Sequence, residues 1–364
     1  MEFINLKAQY EQQKSEIDNA IQDVLHSSQF IMGKAVEELE SHLSSYVGAK
    51  NAIACSSGTD ALILALMALD IKNGDEVITS PFSFIASVEA IMLLGAKPIF
   101  VDIDEKTYNL DSTKLENAIT KHTKAIIPVA IFGQMADMQA INAIALKHNI
   151  PVIEDAAQSF GATQRYNDKI LKSCNASMFA TTSFFPSKPL GCYGDGGAVF
   201  TNDEKFAQKI RYLLNHGQTK RYEHSFIGLN ARLDALQAAI LNVKIKYLDS
   251  EIAKRQEIAR IYDENLRNVI IPFIQKGNVS AYAQYSIRTK NRAQLIEKLT
   301  KAHIPYAVHY PIALHLQEVV RKVYGYKKGD FPISEVVCDE ILSLPFSPFL
   351  SAKEQDQVIK AVNG

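Results

Sequence analysis

Between residues 51 and 155 the sequence alternates short apolar runs with alanine-rich or amphipathic ones, and the connections between them are short. Strands are predicted over 51–55, 76–79, 98–103, 125–131 and 151–155, and helices over 61–69, 85–94 and 137–148. A chain that repeats strand and helix in this way closes into a parallel sheet with helices on both faces. The predicted fold class is therefore α/β, with a mostly parallel central sheet. Ligands of such sheets bind beyond the carboxyl ends of the strands. The sequence places Ser56-Ser57-Gly58-Thr59-Asp60 at one such end, Phe84 at another, and Asp155 with Gln158 at a third.

Two further strands, over 177–182 and 197–201, flank a loop that runs from Ser183 to Gly197. In it Lys188 lies between Pro186 and Pro189, each of which fixes φ and removes a backbone donor, so neither helix nor central strand continues through it. Hydroxyls stand on either side, at Ser183 and Ser187. The glycines that follow allow tight turns, and are read as keeping the backbone clear of a bound molecule. Taken alone, the loop reads first as a surface turn carrying a solvated lysine, and only the upstream residues shift that reading. The flanking sequence adds helices over 7–26, 35–46, 204–215, 233–248, 252–266 and 292–302, a strand over 281–287 and a turn over 308–311. At 364 residues the chain exceeds what one core usually supports, and two domains are expected, 1–248 and 249–364.

Composition narrows the function classes. A net charge of −1 offers no field for nucleic acid or an anionic membrane surface. The four cysteines are scattered, with no metal-ligand spacing, so free thiols, no metal and a reducing compartment are expected. No signal peptide is apparent and no apolar run is long enough to span a bilayer, which makes a cytoplasmic protein the expectation.

The sheet-end residues combine into one chemistry. Strand, small-residue turn and helix start form an anion cradle of backbone N–H groups at Ser57-Gly58-Thr59, although Thr59 or Asp60 could simply cap the helix. With it come an aromatic (Phe84), an acid (Asp155) and the loop lysine. Pyridoxal phosphate needs all four. A lysine holds its aldehyde as a Schiff base, hydroxyls and N–H groups hold its phosphate, an aromatic covers its ring, and a carboxylate keeps its pyridine nitrogen protonated. Gln158 is placed to reach the ring's phenolic oxygen.

These motifs resemble the DegT/DnrJ/EryC1/StrS family of nucleotide-sugar aminotransferases, pyridoxal-phosphate enzymes of the aspartate-aminotransferase-like fold type I. The resemblance rests on Ser57-Gly58-Thr59-Asp60-Ala61-Leu62, on 151–162 around Asp155-Ala156-Ala157-Gln158, on Ser183-Phe184-Phe185-Pro186-Ser187-Lys188 with Gly194-Asp195-Gly196-Gly197, and on Phe3-Ile4-Asn5-Leu6-Lys7 and Asn230-Ala231-Arg232-Leu233-Asp234. It covers essentially the whole chain. It implies a large cofactor-binding domain, a smaller C-terminal α/β domain, and the following roles. Lys188 is the Schiff-base lysine and proton shuttle. Asp155 pairs with the pyridine nitrogen and Gln158 with the phenolic oxygen. Gly58, Thr59 and Ser183 hold the phosphate, and Phe84 stacks on the ring. Asn230 reaches the phosphate of a neighbouring subunit, which makes a homodimer with shared active sites a requirement.

Within the family the pattern is most similar to enzymes that aminate C3 of a UDP-linked 2-acetamido-3-keto-glucose or its glucuronate, with L-glutamate as donor, for cell-surface polysaccharide, O-antigen or lipid A. Arg232, His309 and Tyr310 match substrate-contacting positions there. Arg232 could pair with the carboxylate of the amino donor or with a uronate. His309-Tyr310 reads equally as a packed turn before Pro311. Three alternatives stand beside this reading. One is a 4-keto sugar aminotransferase, the second acts on a dTDP-linked 3-keto-6-deoxy sugar, and the third is a non-catalytic cofactor-binding regulator.

Overall fold

A computed structural model describes residues 1–166 and 168–364. Seven strands carry the architecture: β1 (Asn51–Cys55), β2 (Glu76–Thr79), β3 (Lys97–Phe100), β4 (Thr123–Ile127), β5 (Ile153–Asp155), β6 (Phe179–Ser183) and β7 (Gly197–Thr201). They line up as β3-β2-β4 and β5-β6-β7-β1. The two groups are joined by parallel bridges Ile126↔Val152 and Val129↔Asp155. β7 pairs antiparallel with both β6 and β1, so it alone runs against the other strands. Of these strand residues only Lys97 and Lys124 are exposed, as a sheet covered on both faces requires.

Helices cover those faces. One of them is α3 (Gly58–Ala68), in which Ala61–Leu66 are all buried. It starts three residues earlier than the sequence pattern suggests. The cap is Ser57, whose hydroxyl oxygen accepts from Asp60 N at 3.0 Å, so neither Thr59 nor Asp60 fills that position. Asp60 in return accepts from the Ser56 and Ser57 hydroxyls at 2.5 and 3.0 Å. Two N-terminal helices, α1 (Leu6–Ser27) and α2 (Lys34–Val47), lie at one end of the order and pack on the helix Ala235–Lys244. That helix is shorter than the predicted 233–248, because its last residues tighten into a 3₁₀ turn before the helix Leu248–Asn265.

Residues 258–362 contribute a second apolar core. It is built around Tyr262, Tyr285 and Phe346 and faced by an antiparallel pair, β8 (Tyr285–Arg288) and β9 (Ile341–Leu344). The segment between them turns back to the central sheet: Leu314 and Val320 pack with Val88 and Phe100. Leu314 N also bonds Pro81 O at 2.7 Å. All four cysteines are buried free thiols. Among the described residues no helix is long and apolar enough to cross a membrane.

Candidate active site

A cavity of about 480 Å³ opens at the carboxyl ends of the central strands. Its walls contain Gly58, Thr59, Phe84, Asp155, Gln158, Ser183, Lys188, His309 and Tyr310. Nine residues singled out from sequence thus meet in one space, although they come from five separate stretches of chain.

Each wall has a local cause. The N-terminus of α3 supplies the floor, with the first-turn N–H groups of Gly58 and Thr59 free of intrahelical acceptors. Gly58 is glycine because a Cβ there would sit 2.6 Å from the Ser183 Cβ, and the side of the cradle would close. Ser183 ends β6, fixed opposite Gly197 of β7. Asp155 ends β5. Its Oδ1 accepts from Ala157 N at 3.2 Å. Burial raises its pKa, and the Lys188 charge works against that rise. Gln158, one turn on, accepts through Oε1 from Lys188 Nζ at 3.0 Å. Burial pushes the Lys188 amine down to about 8, which brings the free-base form close to neutral pH. Phe84 is more than half exposed, and its ring centroid lies 6.0 Å from that of Tyr310.

The glycines after Lys188 have a different role from the one read in the sequence. A Cβ on Gly197 would meet Ser57 O at 2.4 Å, and one on Gly191 would meet Pro186 O at 2.5 Å. Gly191 and Gly197 let the loop fold onto protein backbone, while Gly194 and Gly196 face the side chains of Gln237 and Leu233.

Asn230 and Arg232 do not reach this cavity. They line a neighbouring cleft of about 430 Å³, together with Ile31, Ser56, Asp234 and Gln237. Asp195 borders both spaces. Arg232 Nη1 donates to Asn215 Oδ1 at 2.9 Å, while its Nε is buried with no protein partner.

Several wall residues were not singled out from sequence: Thr181, Thr182, Asp195 and Gln284. The threonines precede the lysine loop on the same strand, which was the available signal. Gln284 is a polar residue in an apolar strand-like run, and the run hid it.

Fold and cavity together define an α/β enzyme of the aspartate-aminotransferase-like type, with Lys188 and Asp155 in one cavity at the carboxyl ends of the strands. The chain belongs to the DegT/DnrJ/EryC1/StrS aminotransferase family, which matches residues 11–363. It is 53% identical to UDP-2-acetamido-2-deoxy-3-oxo-D-glucuronate aminotransferase of Pseudomonas aeruginosa over 96% of each chain. It is 44% identical to a protein of Geobacillus stearothermophilus named as a pleiotropic regulatory protein, over 99% of this chain and 97% of the relative. In structure it superposes on ntda of Bacillus subtilis, solved with bound cofactor pmp, with a TM-score of 0.89 and 32% identity, over 96% of this chain and 81% of that one.

Proposed function

We propose that the protein is a pyridoxal-phosphate-dependent aminotransferase that moves the amino group of L-glutamate to C3 of a UDP-linked 2-acetamido-3-keto-glucuronate. The observation that carries the transaminase reading is the Lys188–Gln158 hydrogen bond, with Asp155, in the cavity that Gly58 and Thr59 of α3 also line, and the 53% identity to a UDP-3-oxo-glucuronate aminotransferase supports the sugar. The residues present fit the cofactor. The cradle between Gly58 and Ser183 stays open because residue 58 has no Cβ. Asp155 is a buried acid without a full set of partners, and a pyridinium N–H would supply both a proton donor and a compensating charge. Phe84 offers an exposed ring face.

When bound, pyridoxal phosphate supplies an aldehyde that accepts an amine and a ring that withdraws electrons from the carbon bearing that amine. The chain's own residues do the rest. Asp155 keeps the ring nitrogen protonated, and Gln158 orients the phenolic oxygen. Gly58, Thr59 and Ser183 fix the phosphate. Lys188 takes the proton from Cα of the amino donor and returns one to C3 of the sugar. His309 and Tyr310 close the cavity from the side of the second core and contact substrate. We read residues 1–248 as the cofactor-holding unit and 249–364 as a smaller one, on the strength of that separate core.

Asn230 and Arg232 face outward into their own cleft, an arrangement that suits a homodimer in which Asn230 serves the partner's phosphate and Arg232 a sugar carboxylate. Location in the cytoplasm and supply of cell-surface polysaccharide or lipid A complete the proposal. The test is spectral. Purified protein should carry the visible band of the lysine-bound cofactor and lose it on adding L-glutamate. A colourless protein, or a band untouched in Lys188→Ala, sinks the reading. Position on the sugar is tested by running the reaction backward with UDP- and dTDP-linked 3-amino and 4-amino sugars, where only UDP-linked 3-amino sugars should discharge the band.

A further inference from the structure

His309 stands in the cavity wall, and its ring is held from behind. Nδ1 lies 2.9 Å from Ser343 Oγ, and Ser343 Oγ lies 2.8 Å from Ser286 Oγ. The two serines face each other across the β8–β9 register, and both are buried. Backbone bonds between Ala307 and Ser343, 2.8 and 3.2 Å long, tie the approach to His309 to the same strand. Among the described residues, no other group bonds either serine hydroxyl, and no protein group bonds His309 Nε2.

Counting hydrogens then fixes the direction of the chain. Each serine owns one hydroxyl hydrogen. Within the protein, Ser286 can place its hydrogen only on Ser343 Oγ. The contact between the two oxygens holds a single hydrogen, so Ser343 must direct its own elsewhere, and Nδ1 is the one acceptor in reach. Nδ1 is therefore a lone pair, and the ring proton is on Nε2. The opposite direction, from Nδ1–H through Ser343 to Ser286, leaves the Ser286 hydrogen without a protein acceptor, facing only the small cavity of about 20 Å³ that Ser286 lines, and so gives up one hydrogen bond within the protein.

We infer that Ser343 and Ser286 are positioning residues that lock His309 as the neutral Nε2–H tautomer, so that it presents a hydrogen-bond donor, and not a base, to an oxygen of the substrate. Burial and the nearest cation act in the same direction. Of the groups that line the same cavity, Lys188, Asp155, Asp195 and Tyr310, the Lys188 charge acts with burial, the larger cause, to hold the imidazole below its ordinary pKa. A second proton on the ring is opposed from both sides. The acceptor could be a keto-sugar oxygen or a carboxylate oxygen of the amino donor, and the two half-reactions separate these sources. The identity of that substrate rests on the function proposed above; the tautomer does not.

The experiment uses holoenzyme labelled with ¹⁵N-histidine, with His309→Gln to assign the signal. The His309 ring should show a protonated Nε2 and an unprotonated Nδ1 near neutral pH. Ser343→Ala should turn this into a mixture of tautomers and lower kcat/KM about tenfold in the half-reaction whose substrate His309 contacts, about the worth of one hydrogen bond. Ser343→Thr, which restores the hydroxyl, should recover both readouts. A serine that only packs would change the melting temperature and leave the tautomer alone. A protonated Nδ1 in the wild type, or an unchanged ring in Ser343→Ala, overturns the inference. Failure to turn over any UDP sugar with the tautomer as expected counts against the proposed function instead.

Discussion

Lys188 owes its position to neighbours that crowd it: a proline on either side, Gln158 on its amine and Asp155 across the cavity. Its amine adds to an aldehyde only as the free base. With its pKa near 8, that fraction rises about tenfold per pH unit below 8 and levels off above it. The rate at which cofactor-stripped protein regains its visible band should therefore climb from pH 6 to about 8 and then flatten, measured by stopped-flow absorbance. A climb that continues to pH 10 would show an ordinary, solvated lysine. Gly58→Ala places a methyl carbon where the Ser183 Cβ already is, 2.6 Å away. Forcing one group into such a contact costs about 1–3 kcal/mol, and cofactor affinity by equilibrium titration should fall by roughly 5- to 150-fold. At this scale the sequence was informative about chemistry and silent about contact. Residue type and spacing marked Lys188, Asp155 and Gln158. That Gly191 and Gly197 press on protein backbone depends on atoms brought together from distant positions, which no local pattern encodes.

Strand β5 carries two acids that point to opposite faces. Asp155 looks into the cavity. Glu154 is buried behind it, accepting from Ser173 Oγ at 2.7 Å and Cys174 N at 3.1 Å. Burial pushes Glu154 up to about 7. The folded protein thus holds this proton more tightly than the unfolded chain, so the contribution to stability is present below about pH 4.5 and is lost as pH rises through about 7. The full swing is on the order of 3 kcal/mol. Glu154→Gln should flatten the dependence of the melting temperature on pH across that window relative to wild type; parallel curves would show that the acid ionises freely. At the other end of the fold, Glu251 accepts from Gln9 and Gln13 of α1 at 2.8 to 3.1 Å. Beside it lies Lys244, which burial pushes down to about 8. Removing Glu251 leaves that lysine and Arg255 without their buried countercharge, and Glu251→Ala should destabilise by about 3–5 kcal/mol in urea unfolding. Elements with strong periodicity or full burial were legible in the sequence, the central strands above all. The hairpin of Thr163–Tyr166 with Lys169–Lys172 and the helices Glu318–Tyr324 and Pro332–Glu340 were not. They are short, and their apolar residues pack against distant partners, so periodicity within them carries little signal.

For the whole molecule, the separation of Asn230 and Arg232 from Lys188 gives the shared-site proposal a sharp test. Mixing Lys188→Ala with Asn230→Ala subunits creates hybrids in which one site has lost both residues and the other has lost neither. After random reassociation roughly a quarter of the sites should be intact, and activity should return to that level. If each subunit kept its own complete site, mixing would restore nothing. Arg232→Ala should impair the uronate substrate while sparing glutamate turnover; loss of both would move Arg232 to the amino donor. The large parallel sheet could be read from strand–helix alternation, but its reversed strand could not, because an antiparallel return looks the same in sequence as a parallel one. That reversal has a practical consequence. Because β7 runs back along β6, the loop bearing Lys188 leaves the sheet at Ser183 and rejoins it at Gly197, two residues that stand opposite each other in the register, next to the Phe184 N–Gly196 O hydrogen bond. The ends stay anchored whatever lies between them. The loop is therefore an exchangeable cassette: the corresponding segment of a relative, transplanted with Phe184, Leu190 and Cys192 to match the underlying core, can be fitted without shifting the register of any strand.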